Sequence, residues 1–238
     1  MIELRGVSKH YGRKPALIDV NLSLPKGKVI GVIGPNGSGK STFLKLLAGI
    51  TKPKHGIVTI DGEQVDRRIA RKVAYLSERD ITYSFFTVQE AIDYYSSQFN
   101  DFNKEKSYQI VDFLQLELNR KIEDLSKGNQ GRVKITLTLS REVPYILLDE
   151  PLSGLDPVVR ESIINGVISF VDLDWQTVIL TTHEVDEIEP LLDIFVAFRE
   201  GKLIEVMEID ALHENKKISL LQWMKKVYSD KPQLLKSV

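Results

Sequence analysis

VIGVIGPNGSGKSTFLKLL, the sequence of residues 29–47, predicts a buried strand, a glycine-rich loop and a helix in direct succession. Its first five residues form a continuous apolar run, which is typical of a strand that is covered on both faces. Apolar residues then recur at helical spacing from Phe43 to Leu47, and Gly49 provides a stop for the helix. Strand and helix alternate again after residue 141, so we expect an α/β fold with a mostly parallel core sheet.

The loop in this stretch matches the phosphate-binding pattern G-x-x-x-x-G-K-[ST], which is typical of P-loop NTPases. Its glycines allow backbone N–H groups to curl around phosphate oxygens, and the N-terminus of the following helix adds positive potential. We expect Lys40 to contact the β and γ phosphates and the Ser41 hydroxyl to bind Mg²⁺. An ordinary glycine-rich turn with a solvated lysine is the alternative. The predicted nucleotide-binding residues of the loop are Gly34, Pro35, Asn36, Gly37, Ser38, Gly39, Lys40, Ser41 and Thr42.

Two acids, Asp149 and Glu150, follow the apolar run 145–148. Ligand sites of α/β sheets lie at the carboxyl ends of the strands, where this pair is placed. Asp149 is expected to hold Mg²⁺ through water, and Glu150 to polarise the water that attacks the γ phosphate. Taken alone, such a pair also occurs where a strand simply ends in solvent.

Composition excludes several classes of protein. The chain has 238 residues, and its 32 Lys and Arg against 33 Asp and Glu give no electrostatic reason to expect a nucleic-acid partner. It contains no cysteine, which excludes a disulfide framework and zinc–thiolate sites. No apolar run approaches the ~18 residues of a membrane-spanning helix, and the N-terminus does not read as a secretory signal. We therefore expect a cytoplasmic chain that does not cross the bilayer.

Three further motifs lie around the two acids. Leu125–Gln130 reads LSKGNQ and resembles the LSGGQ signature of ABC ATPases. Residues 153–156, SGLD, resemble the D-loop of that family, and residues 181–184, TTHE, resemble its switch-histidine segment. Tyr11 stands where the family has an aromatic residue that stacks on adenine; simple packing of its ring is the alternative. The motifs extend from Tyr11 to His183, so the resemblance covers most of the chain.

The resemblance implies a single ABC ATPase domain over residues 1–238. A RecA-like core with an antiparallel β subdomain is expected in residues 1–85 and 142–210, and a helical subdomain in residues 86–141. The tail 211–238 has no assigned role.

The resemblance also implies a head-to-tail dimer in which ATP is sandwiched between the phosphate loop of one subunit and the signature of the other. Ser126 and Gly128 would bind the γ phosphate in the second subunit, since donors are free at a helix N-terminus. His183 would touch the γ phosphate, and Asp156 would communicate across the interface. The expected catalytic residues are Lys40, Glu150 and His183.

Two departures from the family pattern concern the site. The signature has Lys127 and Asn129 where glycine and glutamine are usual. Glu78 replaces the glutamine of the Q-loop; it could still reach Mg²⁺, with Ser41 and Asp149, although it adds negative charge beside a triphosphate. Lys127 and Glu78 are similar to residues in ATPases of exporters that work without an extracytoplasmic binding protein.

The leading hypothesis is therefore an ATP-hydrolysing motor at the inner face of the cell membrane, bound to a separate membrane-spanning permease. A groove near Glu78 would receive a short helix of that permease; Phe85 and Phe86 would line it or belong to the core. An ABC ATPase that acts on ribosomes or DNA is the alternative, but the chain has neither two cassettes nor long coiled coils. A P-loop kinase would leave Ser126, Gly128 and His183 unexplained.

Overall fold

The structure, a computed structural model, describes residues 1–78 and 83–229. Its strands are β1 (Ile2–Tyr11), β2 (Lys14–Leu24), β3 (Val29–Ile33), β4 (His55–Ile60), β5 (Glu63–Gln64), β6 (Val73–Leu76), β7 (Tyr145–Asp149), β8 (Thr177–Thr181), β9 (Ile194–Arg199) and β10 (Lys202–Glu208). Its α-helices are α1 (Lys40–Leu47), α2 (Val88–Gln98), α3 (Lys104–Phe113), α4 (Lys127–Leu139), α5 (Pro157–Phe170), α6 (Val185–Ile188), α7 (Ile209–Ala211) and α8 (Leu220–Ser229). Strands and helices alternate along much of the chain, as the sequence predicts.

The larger sheet has the strand order β10-β9-β3-β8-β7-β6 within the described residues. Every neighbouring pair is parallel except β9 and β10, which form an antiparallel hairpin at one edge. This confirms the expected mostly parallel core. Parallel strands end at the same edge of a sheet, so the residues that follow β3, β6, β7 and β8 are brought together there.

The faces of this sheet pack against different layers. Ile30 and Val32 of β3 belong to one cluster of buried apolar residues, whereas Val29 and Ile33 belong to the other. The first cluster includes Phe43 of α1 and the inner residues of the antiparallel sheet β2-β1-β4-β5. The second includes the apolar faces of α2 to α5 and of α8. Because successive residues of a strand point to opposite faces, a strand covered on both sides reads as a continuous apolar run.

The predicted helical region between β6 and β7 contains α2, α3 and α4. The start of α2 is fixed by Thr87, whose hydroxyl accepts a hydrogen bond from Glu90 N while the Glu90 carboxylate accepts one from Thr87 N. Arg141, after α4, ties this region to the core because it binds the Asp101 carboxylate and the Ala70 carbonyl. The subdomain boundaries at 86 and 141 stay predictions.

The end of the described chain returns to the core sheet. Trp223 of α8 is buried against Phe195 of β9, with ring centroids 4.8 Å apart. Of the tail predicted at 211–238, residues 230–238 lie outside the described residues. In the part of the chain that the structure describes, no helix combines the length and apolar character needed to cross a membrane.

Candidate functional site

A cavity of about 460 Å³ opens at the edge of the sheet where β3, β7 and β8 end. The loop between β3 and α1 forms one wall, while Glu150 and His183 approach from the ends of β7 and β8. The lining consists of Tyr11, Lys14, Pro15, Ala16, Asn36, Gly37, Ser38, Gly39, Lys40, Ser41, Thr42, Glu78, Glu150, Ser153 and His183. The predicted site residues that do not line it are Gly34, Pro35, Ser126, Gly128, Asp149 and Asp156.

The phosphate loop has a shape that glycine alone tolerates at two positions. Gly34 has φ 148°, and a Cβ there would lie 2.3 Å from the Phe198 carbonyl oxygen. Gly39 has φ 111°, and its Cβ would lie 2.5 Å from the Ala16 carbonyl oxygen. The hydroxyl of Ser38, which is 2% exposed, has no hydrogen-bond partner among the described residues. Because an unpaired buried hydroxyl is costly, this oxygen fits a ligand with polar atoms such as a phosphate.

Lys40, the first residue of α1, brings the catalytic candidates together. Its Nζ donates a hydrogen bond to the Gly34 carbonyl at 2.9 Å and lies 3.7 Å from Glu150 Oε1. The distance from Lys40 Nζ to His183 Nε2 is 3.4 Å. Burial lowers the pKa of Lys40, and the neighbouring Glu150 opposes that shift. The Lys40 ammonium therefore lies close to both Glu150 and His183.

Glu150 adopts a backbone conformation that is uncommon for a residue with a side chain. Its φ is 51°, and its N–H donates to Thr181 Oγ1 at 2.8 Å, which fixes the turn after β7. Glu150 Oε1 lies 3.1 Å from His183 Nε2. Burial raises the pKa of Glu150, whereas His183 and Lys40 act to lower it. A carboxylate with a raised pKa is a better proton acceptor than an ordinary glutamate at neutral pH.

Asp149 is held by two hydroxyl groups, neither of which the sequence analysis identified as its partner. Thr181 Oγ1 donates to Asp149 Oδ1 at 3.0 Å, and the Tyr75 hydroxyl donates to Oδ2 at 2.9 Å. Tyr75 belongs to β6, the neighbour of β7 in the sheet. Burial, followed by the charge of Asp149, raises the pKa of the Tyr75 hydroxyl, so it remains a donor. A tyrosine within an apolar strand, three residues before Glu78, is the only sequence signal for this contact.

The oxygen donors around the cavity fit Mg²⁺. Ser41 and Glu78 line the cavity, and Asp149, which is 1% exposed, lies directly before Glu150. Hydroxyl and carboxylate oxygens are ligands that Mg²⁺ accepts, and in nucleotide sites it takes most other ligands from phosphates and water. Within residues 1–78 and 83–229 there is no cluster of three or more His, Cys, Asp or Glu side chains that could hold a metal without such help. The assignment of Mg²⁺ stays a proposal.

The signature residues lie outside this cavity. Ser126 is exposed at the N-terminus of α4, where its Oγ accepts a hydrogen bond from Asn129 N at 3.3 Å. A Cβ at Gly128 would lie 2.8 Å from the Cγ2 of Val159, so glycine allows α4 to approach α5. Asp156 caps α5 by accepting a hydrogen bond from Val159 N at 3.1 Å. The chain therefore does not bring Ser126, Gly128 and Asp156 to its own phosphate loop.

Tyr11 lies at the rim of the cavity. Its side chain is 52% exposed, which leaves the ring accessible to a ligand. The ammonium of Lys9 lies 5.3 Å from the centroid of the ring. The position is compatible with the predicted stacking on adenine, which stays a prediction.

Comparison with known proteins identifies relatives across most of the chain. The family model described as ABC transporter matches residues 17–153. The ABC transporter ATP-binding protein YtrB of Bacillus subtilis is 27% identical over 216 residues, which are 90% of this chain and 74% of that protein. The Nod factor export ATP-binding protein I of Rhizobium johnstonii is 35% identical over 211 residues, with coverage of 85% and 68%. The lantibiotic transport ATP-binding protein SrtF of Streptococcus pyogenes is 29% identical over 212 residues, with coverage of 88% and 92%.

Solved structures show the same fold. An ATP-binding subunit of an ABC transporter superposes with a TM-score of 0.83 at 23% identity, covering 97% of this chain and 100% of that one. The ATP-binding cassette MJ0796, in a dimeric post-hydrolysis state bound to ADP and Pi, has a TM-score of 0.78 at 25% identity and covers 88% of this chain and 99% of its own.

Proposed function

The chain belongs to the ABC transporter family as an ATP-binding subunit with ATPase activity, and we propose that it drives transport through a separate membrane-spanning subunit. ATP binding would close a dimer of ATPase subunits, and hydrolysis would open it. The observation that carries the proposal is the cavity in which the phosphate loop, Glu150 and His183 meet. Export is the favoured direction, and the inner face of the cell membrane is the proposed location.

In this cavity the phosphate loop and Lys40 would bind the phosphates of ATP. Ser41, Asp149 and Glu78 would hold Mg²⁺, which when bound neutralises charge on the β and γ phosphates. Glu150 would accept a proton from the attacking water or orient it, and His183, 3.1 Å away, would hold the γ phosphate and that water in place. Tyr11 would stack on the adenine.

The proposed dimer accounts for the residues that this cavity does not use. The N-terminus of α4, where Ser126 is exposed and Gly128 is buried, offers backbone donors but does not line the nucleotide cavity of its own subunit. In a head-to-tail pair it would reach the ATP of the second subunit, which is this chain or a relative of it, and Asp156 would lie at the interface. The dimeric state of the MJ0796 cassette supports this arrangement.

A second cavity, of about 270 Å³, lies beside the aromatic residues proposed for the membrane contact, although Glu78, Phe85 and Phe86 do not line it. It lies between the end of α1 and the helical region, and its wall includes Ile50, Tyr95 and Phe99. A chain of ring contacts leads from Tyr95 to Phe85, whose side chain is 58% exposed. Phe86 instead packs against the buried core, so Phe85 alone of the two predicted phenylalanines offers an open apolar surface. We propose that a short helix of the permease docks on the apolar surface that includes the exposed Phe85 side chain.

Direction rests on the two departures from the family pattern. Lys127 and Glu78 resemble residues of exporter-type ATPases, and two of the relatives are named for Nod factor export and lantibiotic transport. A relative named for choline transport, OpuBA of Bacillus subtilis, is 30% identical over 226 residues. We propose export on the strength of Glu78 and Lys127 and assign no cargo, because cargo is chosen by the membrane-spanning part.

Replacement of Phe85 by aspartate tests the membrane contact. We expect a tagged chain to co-purify with a polytopic membrane protein from detergent-solubilised membranes of its native host, and Phe85→Asp to lose that protein, because a carboxylate cannot remain in an apolar contact without a large cost. ATPase activity of the isolated subunit should stay within about 2-fold, since the side chain lies outside the nucleotide cavity.

Phe113→Asp is the matched control for this experiment. Phe113 is an exposed aromatic residue of the helical region that packs on Phe170 and is not among the rings that connect Phe85 with Tyr95. The Phe113→Asp variant should still co-purify with the membrane protein. Recovery of ribosomal or chromosomal proteins without a membrane protein would overturn the transporter role.

Replacement of Tyr75 by phenylalanine tests the support of Asp149. A hydrogen bond to a charged group contributes about 1.5–3 kcal/mol, and its loss should reduce the free energy of unfolding by that order. Since Asp149 would also lose its orientation, we expect the Mg²⁺ concentration required for tight ATP binding to rise about 10-fold. Denaturant unfolding and a Mg²⁺ titration of ATP binding measure the two effects. Tyr108→Phe, which removes a hydroxyl that accepts from Gln89, should leave the Mg²⁺ titration unchanged.

A further inference from the structure

Arg160, in the first turn of α5, makes a set of contacts that no part of the proposed mechanism uses. Its Nε donates to the Leu155 carbonyl at 2.8 Å. Its Nη1 donates to Glu187 Oε1 and its Nη2 to Glu184 Oε1, both at 2.9 Å. The side chain is only 18% exposed, so these contacts are shielded from solvent more than most surface ion pairs.

The partners of Arg160 belong to two different segments of the site. Leu155 lies in the loop 151–156, which starts directly after Glu150 and ends at the cap of α5. Glu184 directly follows His183, and Glu187 lies on the short helix that comes next. One guanidinium group thus connects the chain that leaves β7 with the chain that leaves β8.

The geometry of this connection is specific to arginine. A guanidinium group is planar and presents its donors in a fixed fork, so it can hold three acceptors in a fixed arrangement. A lysine ammonium keeps the charge but is a single point on a flexible chain. It cannot reach the Leu155 carbonyl and both carboxylates with the same orientation.

The segment that Arg160 holds carries His183. Glu184 N donates to Thr182 Oγ1 at 2.9 Å, so the backbone on both sides of the histidine is fixed. His183 itself is 43% exposed, and its Nε2 lies 3.1 Å from Glu150 Oε1 and 3.4 Å from Lys40 Nζ. A shift of Glu184 by a fraction of an ångström would therefore change the distances between His183 and the groups that act on the γ phosphate.

We propose that Arg160 is a positioning residue that keeps the loop 151–156 and His183 in a fixed position relative to each other. A movement of the loop is thereby passed to the histidine. Under the proposed function, on which this inference rests, that loop lies at the interface with the second ATPase subunit. Arg160 would then convey closure of the dimer to the side chain that orients the γ phosphate and the attacking water. It touches neither the nucleotide nor the reacting atoms.

The test compares Arg160→Lys with the wild type and with a matched control. Arg120→Lys is the control because Arg120 also contacts a carboxylate, of Glu117, and a carbonyl, of Asp124, but in the helical region. We expect Arg160→Lys to lower kcat about 10- to 100-fold through misplacement of His183, with KM for ATP and ATP affinity within about 2-fold of the wild type. Arg120→Lys should leave kcat unchanged.

A second comparison separates positioning from simple stabilisation. Glu184→Ala, which removes the acceptor oxygens, should lower kcat by a similar factor, and the double variant with Arg160→Lys should show no further loss, because both changes break the same connection. Multiplicative losses in the double variant would overturn the inference. An unchanged kcat in Arg160→Lys would do the same, even if the melting temperature falls. Absence of ATPase activity in the wild type would instead count against the proposed function.

Discussion

Replacement of Glu150 by glutamine is expected to abolish ATP turnover while ATP binding remains intact. Glutamine has nearly the same shape, so the contacts of the phosphate loop should persist, but its amide cannot accept a proton. Loss of a general base typically lowers kcat about 100- to 10,000-fold. The position of Glu150 supports this role: its Oε1 lies 3.1 Å from His183 Nε2 and 3.7 Å from Lys40 Nζ, and burial raises its pKa.

Three measurements examine this variant together. Phosphate release gives kcat, and equilibrium dialysis with ATP gives the affinity. Size-exclusion chromatography with ATP shows whether the variant accumulates as a dimer. We expect a dimer, because without hydrolysis the closed pair of subunits cannot reopen. Glu142→Gln is the control, because that carboxylate binds Asn103 in the helical region and should leave all three unchanged. Turnover at the wild-type rate in Glu150→Gln would remove Glu150 from the base role.

The parts of the fold that the sequence predicts are those specified by neighbouring residues. The five residues of β3 are all buried, and their continuous apolar run follows from cover on both faces of the sheet. The phosphate loop is equally local, because the left-handed conformations at Gly34 and Gly39 and the buried hydroxyl of Ser38 lie within six consecutive residues. Local patterns of this kind are visible without an alignment or a structure.

Contacts between distant residues leave no such pattern. Tyr75 and Asp149 are 74 positions apart, and only the parallel pairing of β6 with β7 brings the hydroxyl to the carboxylate. Arg160 likewise reads as an ordinary polar residue of an amphipathic helix until the fold places Glu184 and Glu187 beside it. Both residues support groups at the ends of strands, which is where tertiary structure rather than local propensity determines the neighbours.

Other predicted site residues depend on a second molecule. The motif around Ser126 and Gly128 is recognisable in the sequence, yet within one chain these residues do not line the cavity that the phosphate loop forms. Their expected function requires the signature of one subunit to meet the ATP of another. Phe85 also depends on a second molecule. Its exposure distinguishes it from the neighbouring Phe86, but its proposed role requires a permease that binds there. A single chain can therefore define the half-site but not the assembled one.

Replacement of Lys40 by alanine is expected to weaken ATP binding itself, in contrast to Glu150→Gln. The Lys40 side chain is 6% exposed, and its Nζ is held at 2.9 Å from the Gly34 carbonyl in the loop that would surround the phosphates. A hydrogen bond to a charged group contributes about 1.5–3 kcal/mol, so loss of the ammonium should raise the dissociation constant for ATP about 10- to 100-fold. Calorimetric titration with a non-hydrolysable ATP analogue measures this change without interference from turnover.

Lys45→Ala is the control for Lys40→Ala, because Lys45 lies on the same helix but does not line the cavity. It should bind the analogue as the wild type does. Lys40→Arg keeps the charge and should recover part of the affinity if the contact is electrostatic, although its larger head group fits the buried position less well. Unchanged affinity in Lys40→Ala would contradict the assignment of the loop to phosphate binding. Because Glu150 and His183 are placed around Lys40, that result would also remove the geometric basis for their catalytic roles.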